Sequence, residues 1–483
     1  MGPNLLYIHS DQHSPFVAGC YGDDVAITPH LDALAARGVT LDNVYCPSPI
    51  CVPSRMAMLT GRYPHENEVW TNNHVLDSGI PTFAHAMGAA GYNPVLVGRM
   101  HSNGPDQLHG YAERYVGDHG SNLPNGRPVN HGMLQGTAGP KRVSIRKSGI
   151  GQSAYQVHDE DVTASTVAYL DRLGVQKRAG TMRKPFSLSV GFMLPHQPFV
   201  ARREDYERFA GRVPPPRSPV SYSEDLHPHI RMWRQECGIA TEVPGHQVDR
   251  ARTAYWALIY RMDAMIGQIL DALKSNGFEE DTIVAYSSDH GEQVGEHGLW
   301  WKQTYYDDSA KVPAIIAWPG RLPEGGRVDR VISALDINAT MIDALGGPPL
   351  PTSRGRSLLP LLDDPSFDWE DIAFSEYCTE DGCLTRMVRR GPWKLNYYHG
   401  QPSQLFHLEE DPREMTDRVD DPSCANLVSE LTERVLDGWD PEAIWEKIQT
   451  KSTEFSLISK WGRNVKPEDT HRWDLRPEMD YLE

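Results

Sequence analysis

Four short apolar runs in this chain each end on a cluster of polar residues, and that recurrence constrains the fold more than anything else in it. Asn4 to His9 leads into Ser10-Asp11-Gln12-His13, and Pro94 to Gly98 into Arg99-Met100-His101. Phe186 to Phe192 leads into Leu194-Pro195-His196-Gln197-Pro198, and Thr282 to Tyr286 into Ser287-Ser288-Asp289-His290. Short, near-continuous apolar runs read as strands buried on both faces. Val39 to Tyr45 and Val312 to Trp318 are two more. Helical stretches lie between them: Thr28 to Ala36 closed by Gly38, Thr82 to Ala90, Asp159 to Leu173, and Asp249 to Leu273. Alternating strand and helix predicts an α/β fold. Open α/β sheets bind ligands outside the carboxyl ends of their strands, so one edge is expected to collect Asp11, Gln12, Arg99, His101, His196, Asp289 and His290.

The segment Cys46-Pro-Ser-Pro-Ile-Cys51-Val-Pro-Ser54-Arg55, continuing through Met56-Ala-Met-Leu59-Thr60-Gly61-Arg62, reads as an extended loop turning into a short helix. Pro53 suits a first helical turn, where its missing N–H would be unpaired anyway, and Gly61 suits the end. Cys51 and Ser54 then sit at a helix N-terminus, which favours an anion. Arg55 adds a guanidinium whose fork matches an oxyanion. These residues together suit a sulfate or phosphate ester. Two plainer readings compete: Cys51 as a buried structural thiol, or Cys46 and Cys51 as a disulfide or part of a zinc site.

Asp11 and Gln12 offer oxygen ligands to a hard divalent ion, and Asp289 with His290 adds mixed oxygen and imidazole ligation, which fits Mn²⁺ or Ca²⁺ better than structural zinc. The net charge of −18 argues against nucleic acid and anionic membrane surfaces as partners, while leaving room for a local basic pocket. The 7 cysteines scattered through 483 residues fit a reducing compartment, and no apolar run approaches a membrane span or a cleavable leader, so a cytoplasmic protein is expected.

Cys51-Val-Pro-Ser54-Arg55 followed by Leu59-Thr60-Gly61-Arg62 resembles the signature of the type I sulfatases of the alkaline phosphatase superfamily. The resemblance implies that Cys51 is oxidised to formylglycine by a maturation enzyme. One hydroxyl of the hydrated aldehyde attacks sulfur, and the other then collapses to expel sulfate. It implies a metal held by Asp11, Gln12, Asp289, His290 and residue 51. It assigns His101 to a formylglycine hydroxyl and His196, within Pro195-His196-Gln197-Pro198, to protonation of the leaving alcohol. Lys302 falls where the family bridges ester and nucleophile. Arg99 stands where the family carries an anion-binding lysine, exchanging a point charge for a planar fork. Asn73 falls where related hydrolases place an asparagine near the anion, against the plainer reading of a turn asparagine.

Asp11-Gln12 resembles the choline-sulfatase and phosphonate monoester hydrolase branch, and the stretch Gly104-Pro-Asp-Gln-Leu-His-Gly-Tyr-Ala-Glu-Arg114 resembles the same region of choline sulfatases. Two activities therefore stay open: hydrolysis of a small-molecule sulfate monoester, or of a phosphonate monoester or phosphodiester by the same machinery. Arg99 and His101 favour sulfate, because phosphonate hydrolases tend to lose both charges there. The implied architecture is a mixed, mostly parallel central sheet flanked by helices, in a catalytic domain over 1–375. A small α+β C-terminal subdomain and tail occupy 376–483. A homo-oligomer is expected. The excursion from Gly117 to Gly151, with basic residues Lys141, Arg142, Arg146 and Lys147, reads as a substrate-facing loop, and a proline-rich second excursion spans Arg202 to Gly245. The tail after Lys451, with Trp461, Trp473 and Tyr481, either packs on its own core or reaches a neighbouring subunit.

Overall fold

The computed structural model describes residues 2–120, 122–124, 126, 128–218, 226–364 and 366–483; positions 121, 125, 127 and 219–225, within the two loop excursions, lie outside the described residues. The main sheet uses β1 (Asn4–Asp11), β2 (Val39–Tyr45), β3 (Asn93–Gly98), β4 (Glu113–Tyr115), β5 (Phe186–Pro195), β6 (Thr282–Ser288), β7 (Lys311–Ala317) and β8 (Gly326–Ser333). Their order across the sheet is β8-β2-β7-β6-β1-β5-β3-β4. Only β7 runs antiparallel to its neighbours, so the sheet is mixed and mostly parallel, as expected.

Side chains alternate across β1, which divides the core in two. Leu6 and Ile8 pack with α1 (Pro29–Ala36), α4 (Ala154–Arg178) and α5 (Gly245–Ser275). Leu5 and Tyr7 face α2 (Cys51–Thr60), α3 (Phe83–Ala89) and α6 (Ala334–Ala344). Each leucine buried this way contributes about 1.5–3 kcal/mol. That double layer holds the central strands rigidly, so the polar groups at their ends share one frame.

A four-stranded antiparallel sheet comes next: β9 (Ile372–Cys378), β10 (Leu384–Arg390), β11 (Trp393–Tyr398) and β12 (Gln404–His407). The expected boundary at 375/376 falls within β9. The helix α7 (Ala425–Leu436) covers one face of this sheet, and α8 (Pro441–Val465) runs well past the helical stretch the sequence suggests. The tail then folds back on its own core. Trp473 Nε1 donates to Asp161 at 3.0 Å, and Tyr481–Leu482 pairs antiparallel with Gly149–Gln152, which lies beside Val200–Ala201. Among the described residues no helix is long and apolar enough to cross a membrane.

Candidate active site

The helix α2 starts at Cys51, and all ten of its residues are buried. Ile50 precedes it in extended conformation, and Gly61 ends it at φ 69°, a left-handed position glycine adopts at no steric cost. Asn72 Oδ1 accepts the free N–H of Val52 at 3.0 Å, and Ser54 Oγ donates to the Asp289 carbonyl at 2.6 Å. The first turn is thereby pinned against the end of β6.

Around the thiol the strand ends converge. Cys51 Sγ lies 3.1 Å from His290 Nε2 and 3.8 Å from Asp11 Oδ1, and His290 Nε2 lies 3.7 Å from Asp289 Oδ2. Ligand atoms of Asp11, Cys51, Asp289 and His290 all lie within 4.8 Å of one another. Donors surrounding an ion at roughly 2.3–2.6 Å keep separations of about 3–4 Å, so the group fits one divalent cation. His290 Nδ1 donates to the Gly291 carbonyl at 3.0 Å, which fixes the tautomer and leaves Nε2 bare as a ligand needs. Burial holds this imidazole below its ordinary pKa, hence neutral.

Two guanidiniums lock the carboxylates. Arg55 donates from Nε to Asp289 Oδ2 at 2.8 Å and from Nη2 to Asp11 Oδ2 at 3.3 Å and Ser10 O at 3.1 Å. Arg99 Nε donates to Asp11 Oδ2 at 2.5 Å, and its Nη2 to His101 Nδ1 at 2.8 Å. Burial opposes ionisation of Asp11, yet the guanidiniums of Arg99 and Arg55 together hold its carboxyl well below the usual range. Arg55 is thus committed to the metal-site carboxylates, not presented to an anion as its sequence context suggests. Asp118 takes the far side of Arg99 at 3.4 Å, Arg114 at 2.6 Å and the His101 backbone N–H at 2.9 Å. Gly191 lies under this arrangement: a Cβ there would stand 1.8 Å from the Arg99 carbonyl.

A sulfatase family model matches residues 3–347, and one for the C-terminal region of N-sulphoglucosamine sulphohydrolase matches residues 295–439. The chain belongs to the sulfatase family. It is 32% identical over 497 residues to the choline-sulfatase of Rhizobium meliloti (strain 1021), covering 98% of this chain and 94% of that protein. It is 32% identical over 450 residues to arylsulfatase K of Rattus norvegicus, covering 86% and 74%. The phosphonate monoester hydrolase of Agrobacterium radiobacter shares the fold, with a TM-score of 0.73 at 24% identity over 90% of this chain and 95% of that one. The sulfatase is a sulfuric ester hydrolase.

In the sulfatase, Lys302 Nζ donates to His196 Nε2 at 2.8 Å and also to Gln12 Oε1. Gln12 in turn donates from Nε2 to Gln197 Oε1 at 2.6 Å and to Glu292. The Gln12 carbonyl expected to ligate the metal is therefore turned to an ammonium, which makes it a brace for Lys302. Its backbone is left-handed at φ 69°, and its N–H donates to Asp289 Oδ1 at 3.0 Å. Glu292 completes the brace by accepting the N–H groups of Val294 at 2.9 Å and Trp301 at 2.6 Å. Burial, and then the Lys302 ammonium, keep the His196 imidazole well below its ordinary pKa.

Asn73 does not reach the site. It is exposed, in a turn where its N–H donates to Thr71 Oγ1 at 3.2 Å, and its neighbour Asn72 is the one that caps α2. The basic cluster in the first excursion is structural as well: Lys141 Nζ and Arg142 donate to the carbonyls of Glu236, Gly238 and Glu242. Cys46 and Cys51 are both free, with no disulfide between them.

Asp118, Glu292, Gln197, Asn72 and Asp159 are site residues that sequence reasoning missed. Asp159 accepts the backbone N–H groups of Met193 and Leu194 at 2.8–3.0 Å, just ahead of His196. Glu292 carries a signal in its position three residues after Asp289. The others act through tertiary hydrogen bonds that leave no local pattern.

Proposed function

We propose that this sulfatase hydrolyses a small-molecule sulfate monoester at residue 51 after Cys51 is oxidised to formylglycine, with one calcium or manganese ion held by Asp11, Asp289, His290 and the converted residue. The observation that carries the reading is the gathering of those four ligand groups at the N-terminus of α2, with Arg99, His101, His196 and Lys302 beside them. The hydrated aldehyde supplies an oxygen nucleophile and the ion supplies Lewis-acid charge at it.

The chain's own residues account for the rest. Arg55 fixes Asp11 and Asp289 in register, so that neither drifts when charge changes at the site. Arg99 and His101 form a cationic, hydrogen-bonding wall for the ester oxygens, held by Asp118. Four buried cations (Arg55, Arg99, Arg114, Lys302) face four carboxylates (Asp11, Asp118, Asp289, Glu292). A divalent ion therefore leaves a net positive site, matched to an anionic ester and to the charge that develops on its oxygens. His196 Nδ1–H is tied to the Gln197 carbonyl, so the proton that reaches the leaving oxygen comes through Nε2, next to Lys302.

The same reading includes a maturation enzyme acting on Cys51, a cytoplasmic location and a homo-oligomer. All seven cysteines are free, which supports the reducing compartment, and Leu457, Trp461 and Val465 form an exposed apolar stripe on α8 that supports self-association. The deciding experiment assays aldehyde-verified, metal-loaded enzyme on alkyl, aryl and sugar sulfates beside phenyl phosphonate monoesters. The highest kcat/KM on a sulfate is expected; a phosphonate preference would transfer the assignment to the sister activity.

A further inference from the structure

The two residues that flank Lys302 both have left-handed backbone, Trp301 at φ 67° and Gln303 at φ 74°. Neither is glycine, and for a residue as bulky as tryptophan this conformation is unfavourable. Such residues persist only where their surroundings over-determine them, and they cluster at functional sites. The chain bends through 301–304, and the buried Lys302 stands within that bend.

On the Trp301 side the core holds the bend. The ring is fully buried, Nε1 donates to Ser144 Oγ at 3.0 Å, and the carbonyl accepts the Gln293 N–H at 2.8 Å. On the Gln303 side the hold comes from two segments remote in sequence. The Gln303 N–H donates to the Pro49 carbonyl at 3.0 Å, two residues before Cys51. Its side chain donates from Nε2 to the Tyr377 hydroxyl, on β9 of the small sheet, at 3.1 Å. Next to Tyr377, the Glu376 N–H donates to the Pro47 carbonyl at 2.9 Å, so β9 also grips the nucleophile loop. From β11 the buried Lys394 ammonium donates to the Tyr305 carbonyl at 2.7 Å and to Asp307 Oδ1 at 2.6 Å. The small sheet therefore holds the Lys302 segment and the Cys51 loop in one frame, and Gln303 is bonded to both.

We propose that Gln303 is a positioning residue for proton delivery: through Pro49 and Tyr377 it sets where Lys302 Nζ stands relative to residue 51 and His196. The inference rests on the proposed role of His196, with Lys302 beside it, in protonating the leaving oxygen. It gives the C-terminal sheet a part in catalysis, exerted through one side chain. Small displacements of a catalytic group cost rate far more than they cost binding, so the signature of this role lies in kcat. It also lies in the leaving group, because only a poor one needs the proton.

Steady-state kinetics on the full chain, aldehyde-verified and metal-loaded, test this with two variants. Gln303→Met keeps the chain length and loses the donor, and Tyr377→Phe loses the acceptor. Each is expected to lower kcat on an alkyl sulfate by about ten-fold, with KM little changed and a much smaller loss on a nitrophenyl sulfate. Each single variant leaves one buried polar group unpaired, whereas the double variant removes both, so its urea midpoint should recover. Its alkyl sulfate kcat should not recover, because the tie to β9 is still gone; a merely structural bond would restore both together. In a Lys302→Met background Gln303→Met should cost nothing further. Equal losses on both esters, a kcat that recovers with the urea midpoint, or an added loss in the Lys302→Met background would each overturn the proposal. If Lys302→Met itself does not distinguish the esters, the role of Lys302 in protonation falls and this inference with it. If Lys302→Met distinguishes them and Gln303→Met does not, this inference falls alone. Tyr377→Phe reads the same bond should Gln303→Met fail to fold.

Discussion

Lys302 Nζ donates across 2.8 Å to Nε2 of His196, while Nδ1 of the same ring is held 2.6 Å from the carbonyl oxygen of Gln197. A carbonyl only accepts, so Nδ1 carries the ring proton and Nε2 is bare until Lys302 supplies one. In the proposed mechanism the general acid is then a pair, not a single histidine. Gln12 and Glu292 keep the ammonium in place, which links the end of β1 to proton delivery.

This pairing predicts matched defects. Lys302→Met and His196→Ala should each slow an alkyl sulfate by about 10²–10⁴-fold, with far smaller losses on a nitrophenyl sulfate whose leaving group needs no proton. The double variant should lose no more than the worse single one, because both act on one proton. Steady-state kcat/KM on both esters with aldehyde-verified enzyme reads this out. Additive losses, or equal losses on both esters, would mean that Lys302 and His196 bind or position rather than protonate.

Metal preference should report maturation. With Cys51 unconverted, the group offers sulfur, imidazole and two carboxylates, which suits zinc; after conversion, oxygen replaces sulfur and the set suits calcium or manganese. Elemental analysis of fractions separated by the mass of residue 51 should find zinc enriched only in the thiol form. Chelation should abolish turnover of the aldehyde form, with manganese or calcium restoring it better than zinc. A metal-free preparation that retains full activity defeats this assignment.

Cys51→Ala should abolish turnover and leave the fold standing. The side chain is small and buried at the first turn of α2, where Asn72 and Ser54 hold the backbone without it. Circular dichroism and urea unfolding check the second half; an active, folded Cys51→Ala protein contradicts the nucleophile.

Much of this architecture is legible in the amino-acid sequence. Asp11, His101, His196 and Asp289 each come just after an apolar run, and parallel strands buried on both faces have to deliver their C-terminal residues to one edge. The helix at Cys51 is equally visible, because Pro53 and Gly61 carry backbone constraints that are local. Illegible are the uses to which side chains are put once tertiary partners exist. Arg55 and Gln12 read as site ligands by type, yet Asp11, Asp289 and Lys302 claim their polar atoms. Asn73 and Asn72 differ by one position in a turn, and only the turn decides which faces α2. Asp118 lies in an irregular excursion with no periodicity, so nothing local marks it as the residue that holds Arg99 and His101.

Asp118 supplies the fourth prediction. Burial opposes its ionisation, but Arg114, Arg99 and His101 keep its carboxyl below the usual range. Asp118→Asn keeps the shape while leaving Arg99 and Arg114 short of a counter-charge, so a loss of about 3–5 kcal/mol in urea unfolding is expected. Activity should fall mainly through a raised KM, since Arg99 and His101 lose their common anchor. Unchanged stability and KM would show that Arg99 is held by Asp11 alone.

The last prediction concerns pH. Burial keeps His9 down at about 3 and His13, His74, His229 and His297 at about 4, and it holds His119 and His196 low as well. These imidazoles stay neutral in the folded chain but protonate near 6.5 when it unfolds. Below pH 6.5 the unfolded state therefore binds more protons, and stability falls as pH drops toward 4. Carboxyls raised by burial oppose this, among them Asp263 and Asp336 at about 6, Glu414 at about 7 and Asp308 at about 8. They stay protonated when folded and ionise near 4 when unfolded, so their contribution grows as pH falls to that point. The lowered imidazoles outnumber these carboxyls, so the unfolded state binds more protons as pH falls through 6.5 and stability declines on the acid side. Thermal unfolding should thus show Tm greatest near neutrality and dropping steeply from pH 6.5 to 5, well above the range where carboxylates such as Asp11 are lost. A Tm that is flat across that interval would mean the buried histidines gain protons in place, and that the imidazoles around the site are less sealed from water than their burial implies.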